Sequence, residues 1–241
     1  MLSANSDSTD ITIEELLEQF CRGSARKRRS LISSVEKRAD EISSLGLSVL
    51  SPFDPSGDDW AAGWLLQVLK RHQPESLTKM LSSTQNGGWF DVPSEANIDF
   101  APMQLALLSE NFEEADRLTS SFLRELAGKE AEERGYVYFS EVAYISGCDL
   151  TTIDRLWHAY SQGRFSFSVQ ARILESVGGR FDRLWSKIGW KKDGVWTRYP
   201  NSFTWSLEAP EGHMPLINQL RGVRLMDAVL NHPALLKRRS K

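Results

Sequence analysis

The stretch WTRYPNSFTWSLEAPEGHMPLINQLRG, residues 196–222, decides how the chain is to be read. It joins Trp196, Tyr199, Phe203 and Trp205, a Pro-Glu-Gly turn and the lone His213 to a segment with helical spacing. Connecting segments are ordinarily polar and variable, so a loop this rich in stiff apolar side chains either is buried or holds something. From Pro215 the spacing predicts a last helix, PLINQLRGVRLMDAVLNH, ending before Pro233. At 100° per residue Leu216, Leu220, Val223, Met226 and Leu230 share one face and should pack on the domain. Asn218, Arg221 and Arg224 stack on a different flank. Two guanidinium forks and an amide donor beside an aromatic loop suit a ligand with carboxylates and a broad apolar body. Each charge-assisted bond there is worth ~1.5–3 kcal/mol when partly desolvated. An ordinary solvated helix face meets the same spacing equally well.

The loop shifts that balance. Val195, Trp196, Tyr199, Phe203 and Trp205, with the apolar YVYFSEVAYI stretch at 136–145, supply more aromatic area than two connections require. Each such ring, when buried, removes about 150–250 Å² from water. If two or three of them line a cleft, they form a flat floor with arginines at its edge, suited to a planar macrocycle with acidic side arms.

Outward from this stretch, the composition is that of a globular protein. The chain has 241 residues, 41% of them hydrophobic and 25% charged, enough to bury a substantial core. A net charge of -3 gives no general electrostatic reason to bind nucleic acid or an anionic membrane. No apolar run approaches the roughly 20 residues that cross a bilayer. The acidic N-terminus, MLSANSDSTDITIEELLEQF, lacks the features of a signal or transit peptide, so a cytoplasmic location is expected. Cys21 and Cys148 belong to no CxxC pair and read as free thiols.

Helical periodicity dominates, so the fold class is mainly α. ITIEELLEQF has a capping Thr or Asp and acids in its first turn, and SLISSVEKRADEISSLG repeats apolar residues until it stops at Gly46. DDWAAGWLLQVLKRH carries an apolar face, and PESLTKML starts with Pro at a first-turn position. These segments predict an N-terminal helical bundle over 1–90. The Gly-, Pro- and Asn-rich 83–102 marks the candidate boundary with a second domain, 91–241. There Asn111 is a plausible cap and Gly128 a plausible stop for one helix, and Asp149 is the expected cap of DLTTIDRLWHAYS. FSVQARILESVGG and RFDRLWSKIGW read as further helices, and 191–213 as one long loop. GYVYFSEVAYIS fits either a strand or a buried aromatic loop. The basic runs ARKRRS at 25–30 and KRRSK at the C-terminus read as a solvated face and a frayed tail.

Nothing in the sequence argues for catalysis. GxSxG, HExxH, GxGxxG and GxxxxGK[ST] are all absent, and no His stands at a metal-ligand spacing from another His or Cys. His213 alone has suggestive surroundings, and a structural role in the loop is the better reading. The protein is expected not to be an enzyme and to have no dedicated metal site.

EADRLT, YVYFSEV, DLTTIDRLW, SQGRFSFSVQ and above all the 196–222 stretch resemble the "genomes uncoupled" tetrapyrrole-binding family, porphyrin-carrying activators of magnesium chelatase. The resemblance covers about residues 100–233, and the N-terminal bundle resembles the extra helical domain of cyanobacterial members. It implies a mostly helical core with a cupped-hand cleft formed by two long loops, here 130–148 and 191–213. It implies protoporphyrin IX or magnesium protoporphyrin IX as bound ligand and stimulation of magnesium chelatase in chlorophyll biosynthesis, through that enzyme's porphyrin-binding large subunit. Carried over by residue, Phe139, Val142, Trp196, Tyr199 and Phe203 would form the palm, while Asn218, Arg221 and Arg224 would meet the propionates. Trp205 and His213 are assigned to loop architecture. A monomer is expected, with at most peripheral association with photosynthetic membranes. The alternative is a helical protein-interaction scaffold whose aromatics are all core.

Overall fold

The computed structural model describes residues 11–82, 84, 87–217 and 223–239. The chain opens with α1 (Ile13–Arg22), α2 (Ala25–Lys37) and α3 (Ala39–Leu45). Thr12 starts α1 with a capping box: Glu15 N–H donates to its hydroxyl at 3.2 Å while Thr12 N–H donates to the Glu15 carboxylate at 3.2 Å. The continuous helix expected through 46 is broken at Arg38, whose φ of -109° and ψ of 24° leave the helical region. The break turns α3 onto the next long helix while α2 stays against α1. Arg28 departs from the solvated face expected of 25–30, because its guanidinium donates to the carbonyls of Phe20 and Cys21 and pairs with Asp59 at 2.5 Å.

Helix α4 (Trp60–His72) is buried on every side from Trp60 to Leu69, and α5 (Pro74–Leu81) follows it. Beyond the irregular linker come α6 (Ala101–Leu108), α7 (Phe112–Ala127), capped by Asn111 and stopped at Gly128, and the short α8 (Lys129–Arg134). Then α9 (Gly147–Tyr160) lies across α4. At the crossing Gly63 meets the Ala159 carbonyl so closely that a Cβ would stand 2.2 Å from its oxygen. The buried amide of Gln67 seals the junction by donating to the carbonyls of Leu107 at 3.1 Å and Tyr160 at 2.8 Å. Elements on both sides of residue 90 thus contribute to one continuous core. Asp149 does not cap α9. Ser146 does, and the fully buried Asp149 carboxylate instead accepts from Ser94 and from the amides of Glu95 and Ala96, holding the linker turn.

Helices α10 (Phe167–Ser176) and α11 (Phe181–Lys187) lead into a two-residue hairpin of β1 (Lys191–Lys192) and β2 (Val195–Trp196), a feature within the expected long loop. Asp193 and Gly194 at its tip take φ of 50° and 81°, the backbone that an Asp-Gly turn supplies most readily. The last described helices are α12 (Val223–Leu230) and α13 (Pro233–Arg239). The helix expected from Pro215 is therefore not helical at 215–217, because the backbone there is pinned otherwise. The Pro215 carbonyl accepts from Gln170 at 2.8 Å, and Leu216 N–H donates to Asp116 at 2.6 Å. Nor is the C-terminal basic run frayed over its described residues, 237–239. In α13 Arg238 pairs with the fully buried Asp154 at 2.6 Å and with Asp58 at 2.5 Å, while Arg239 reaches Glu175 at 2.8 Å. No helix among the described residues is long and apolar enough to cross a membrane.

Candidate functional site

Residues 136–145 form neither a strand nor a buried loop. They make a 3-10 turn, Phe139–Tyr144, that leaves Tyr138, Phe139 and Tyr144 exposed. Glu141 organises it: its carboxylate accepts the Tyr138 amide at 2.7 Å and is gripped by Arg134 at 2.7 and 2.8 Å. That guanidinium lies over the rings of Tyr136 and Tyr138, 4.8 and 4.1 Å from their centroids. In a 3-10 helix residues i and i+3 eclipse, so Phe139 and Val142 project to the same side. Val142 is buried and lines a cavity of about 110 Å³. Leu123 and Arg124 of α7, Ile145, Leu216, Ile217 and Val229 contribute to the same wall. Phe139, 46% exposed, carries the apolar surface from this side of the turn out to solvent.

Arg224, on the first turn of α12, holds its guanidinium 5.5 Å from the Phe139 ring centroid. A cation thus stands directly on the aromatic edge of the site. The other two members of the predicted ridge, Asn218 and Arg221, lie outside the described residues.

The second loop divides its aromatic residues between surface and interior. Trp196 is 41% exposed, 5.6 Å from Trp185, which is itself stacked at 5.5 Å on the buried Trp190. Tyr199 is 45% exposed. Phe203, expected in the palm, is buried between Trp205 at 5.5 Å and His213 at 4.8 Å, where it packs the loop against itself. Trp205 donates to the Pro200 carbonyl at 3.1 Å. His213 is buried with both nitrogens engaged. Nδ1 lies 2.7 Å from the Ile188 carbonyl and can only donate there, so Nε2 is left to accept the Thr204 amide at 3.4 Å. Burial lowers its affinity for a second proton, which fits a neutral imidazole spent on architecture.

Sequence reasoning passed over two residues of α7 next to the site, Asp116 and Arg124. Asp116, Ser120, Leu123 and Arg124 follow the i, i+4, i+7, i+8 spacing of one helix face, and the last three line the cavity. Asp116 is fully buried, accepts Leu216 N–H, and faces the Tyr199 hydroxyl.

The cavity alone is smaller than the roughly 300 Å³ at which ligand pockets begin. It can seat only the edge of a broad ligand, whose remaining area would lie on exposed rings such as Phe139, Trp196 and Tyr199. The described residues contain no group of three or more His, Cys, Asp or Glu side chains that could hold a metal ion. An apolar slot, exposed aromatics and a guanidinium beside them fit a flat, carboxylate-bearing molecule.

Residues 93–233 match the model of the GUN4-like family. The chain is 40% identical over 222 residues to the Ycf53-like protein of Synechocystis, covering 92% of this chain and 95% of that one. It is 42% identical over 144 residues to a chloroplastic tetrapyrrole-binding protein of Arabidopsis thaliana, covering 56% of this chain and 54% of the relative. Among solved structures, GUN4 from Chlamydomonas reinhardtii superposes with a TM-score of 0.57 at 36% identity, over 65% of this chain and 99% of that one. Ligand-free Arabidopsis GUN4 gives 0.54 at 43% identity, over 57% and 98%.

Proposed function

Because the chain belongs to the GUN4-like family, we propose that it is a non-catalytic tetrapyrrole-binding regulator. Its proposed ligands are protoporphyrin IX and magnesium protoporphyrin IX. Its proposed action is to stimulate magnesium chelatase in chlorophyll biosynthesis by engaging that enzyme's porphyrin-binding large subunit. The observation that carries the reading is Arg224 poised over Phe139, on the same 3-10 turn whose Val142 lines the apolar cavity. The macrocycle would leave water for the cavity wall and the exposed rings of Phe139, Trp196 and Tyr199. Its propionates would meet Arg224 and the neighbouring Arg221 and Asn218. In this reading Phe203 supports the loop from behind and does not itself touch the ligand. A cleft open along one side lets the ring pass to a partner without unfolding its holder.

Titration with a water-soluble deuteroporphyrin, followed by tryptophan emission, tests the proposal. Saturable quenching in the wild type, weakened at least tenfold in Arg221→Ala/Arg224→Ala, is the expected result. Without saturable quenching the aromatic loop is architecture alone, and the molecule is better read as a protein-interaction scaffold.

A further inference from the structure

The second loop and the segment at Leu216 are distant in sequence from α7, and one buried side chain of α7 touches both. Asp116 lies one helical turn before Ser120 on the cavity-facing stripe of α7 and is fully inaccessible to solvent. Its Oδ1 accepts Leu216 N–H at 2.6 Å, across 100 residues of sequence. Leu216 and its neighbour Ile217 line the cavity and lead into the segment that carries Arg224. The same carboxyl faces the hydroxyl of Tyr199, the half-exposed ring of the second loop. Oδ2 has no hydrogen bond of full geometry among the described residues, although it is buried. A buried carboxyl left half-satisfied is costly, and it persists in a native structure where something other than local stability selects it.

We propose that Asp116 is a positioning residue of the tetrapyrrole site, a single carboxyl that registers the second loop, through Tyr199, against the Leu216 segment and the Arg224 helix beyond it. The proposal rests on the reading of this cleft as a tetrapyrrole site. It touches no ligand atom itself. Its role is to keep the aromatic wall and the guanidinium wall at one spacing, so that a flat ring can meet both.

The surroundings give this latch a sign with pH. Glu113 on the same helix repels the ionised form, Tyr199 faces it from the loop, and residues 215–217 offer only a backbone amide. Arg117 is paired with Glu114 and stands beside Tyr199. Burial without a counter-cation raises the Asp116 carboxyl to about 7. A carboxyl exposed by opening of the latch returns to its ordinary value near 4. The closed state therefore holds its proton more tightly, closure is most favoured at low pH, and it weakens as pH rises from about 4 through 7.

Two readouts on the full chain test this, with wild type, Asp116→Ala and Asp116→Asn. The first, which needs no ligand, is hydrogen exchange at the Leu216 amide, corrected for intrinsic rate, from pH 6 to 8. The second is deuteroporphyrin affinity over the same range. Asn keeps an acceptor for Leu216 and a donor toward Tyr199 while removing the charge. Asp116→Ala is expected to speed Leu216 exchange and weaken porphyrin at least tenfold. Asp116→Asn should retain affinity within about threefold of wild type at pH 6 and lose the decline that wild type shows toward pH 8. Unchanged Leu216 exchange in Asp116→Ala overturns the latch. Faster exchange with unchanged affinity shows a tie of no consequence to the site and overturns the positioning role. A wild type whose Leu216 amide is protected by Asp116 but which binds no porphyrin saturably instead overturns the tetrapyrrole reading, and the positioning role falls with it.

Discussion

His213 owes its neutrality to its surroundings: an imidazole that donates to Ile188 and accepts from Thr204 has no room for a second proton. A histidine whose affinity for a proton is lowered by folding contributes stability that is full above its ordinary value of about 6.5 and is lost as pH falls below it. Asp116 titrates with the opposite sign, so the His213 contribution is read as a difference between variants. In urea denaturation His213→Ala should cost about 1–3 kcal/mol at pH 7.5, where the Ile188 carbonyl loses its buried donor, and less at pH 5.5. Arg224 calls for a different experiment, because its work is in binding. Arg224→Ala is expected to weaken a dicarboxylate porphyrin by roughly 1–3 kcal/mol and Arg224→Lys by part of that, with thermal stability unchanged in both. A dimethyl ester of the same porphyrin should bind wild type and Arg224→Ala alike, and a persistent difference would remove the propionates from the account.

Elements were legible in the sequence wherever one periodicity ruled. Asn111 and Gly128 bracket α7, and Pro74 opens α5, as spacing and cap chemistry predict. What was not legible is what long-range partners decide. Asp149 looks like a cap and is instead a buried acceptor for the linker turn, because Ser146 already serves the first turn of α9. Residues 215–217 look like a helix start and are instead held by Gln170 and Asp116. The structure brings Arg224, read from spacing, onto the turn that carries Val142, read from motif, whereas Asp116 gave no signal because a lone acid in a helix says nothing until its partner 100 residues away is known. The contact between α4 and α9 gives an element-scale test. Gly63→Ala places a Cβ on the Ala159 carbonyl, and a backbone atom cannot turn aside. Overpacking at this contact should cost about 3 kcal/mol, read as a shift in denaturation midpoint. Replacement without loss would mean the helices cross more loosely.

At the scale of the whole molecule, binding and stability are drawn from different parts of the chain. Every residue assigned to the site lies beyond position 115, while α4 supplies the shared core with a helix buried from Trp60 to Leu69. A fragment of residues 91–241 is therefore expected to bind porphyrin within about threefold of the full chain and to melt well below it, as titration and calorimetry on the two would reveal. Loss of binding along with stability would tie the N-terminal helices to the site itself. At the opposite end, Arg238→Ala leaves the Asp154 carboxylate buried without its partner and should cost about 3–5 kcal/mol of unfolding free energy.

The α13 staple also has a meaning in time. A chain leaving the ribosome delivers Asp154 long before Arg238, with 84 positions between them. At roughly 5–20 residues per second that interval is about 4–17 s. Through it α9 can pack against α4 only by burying the Asp154 carboxylate without its cation. The nascent protein thus keeps its central helix provisional until α13 is made, and a chain cut short before residue 238 carries its defect in the middle of its core, far from the cut.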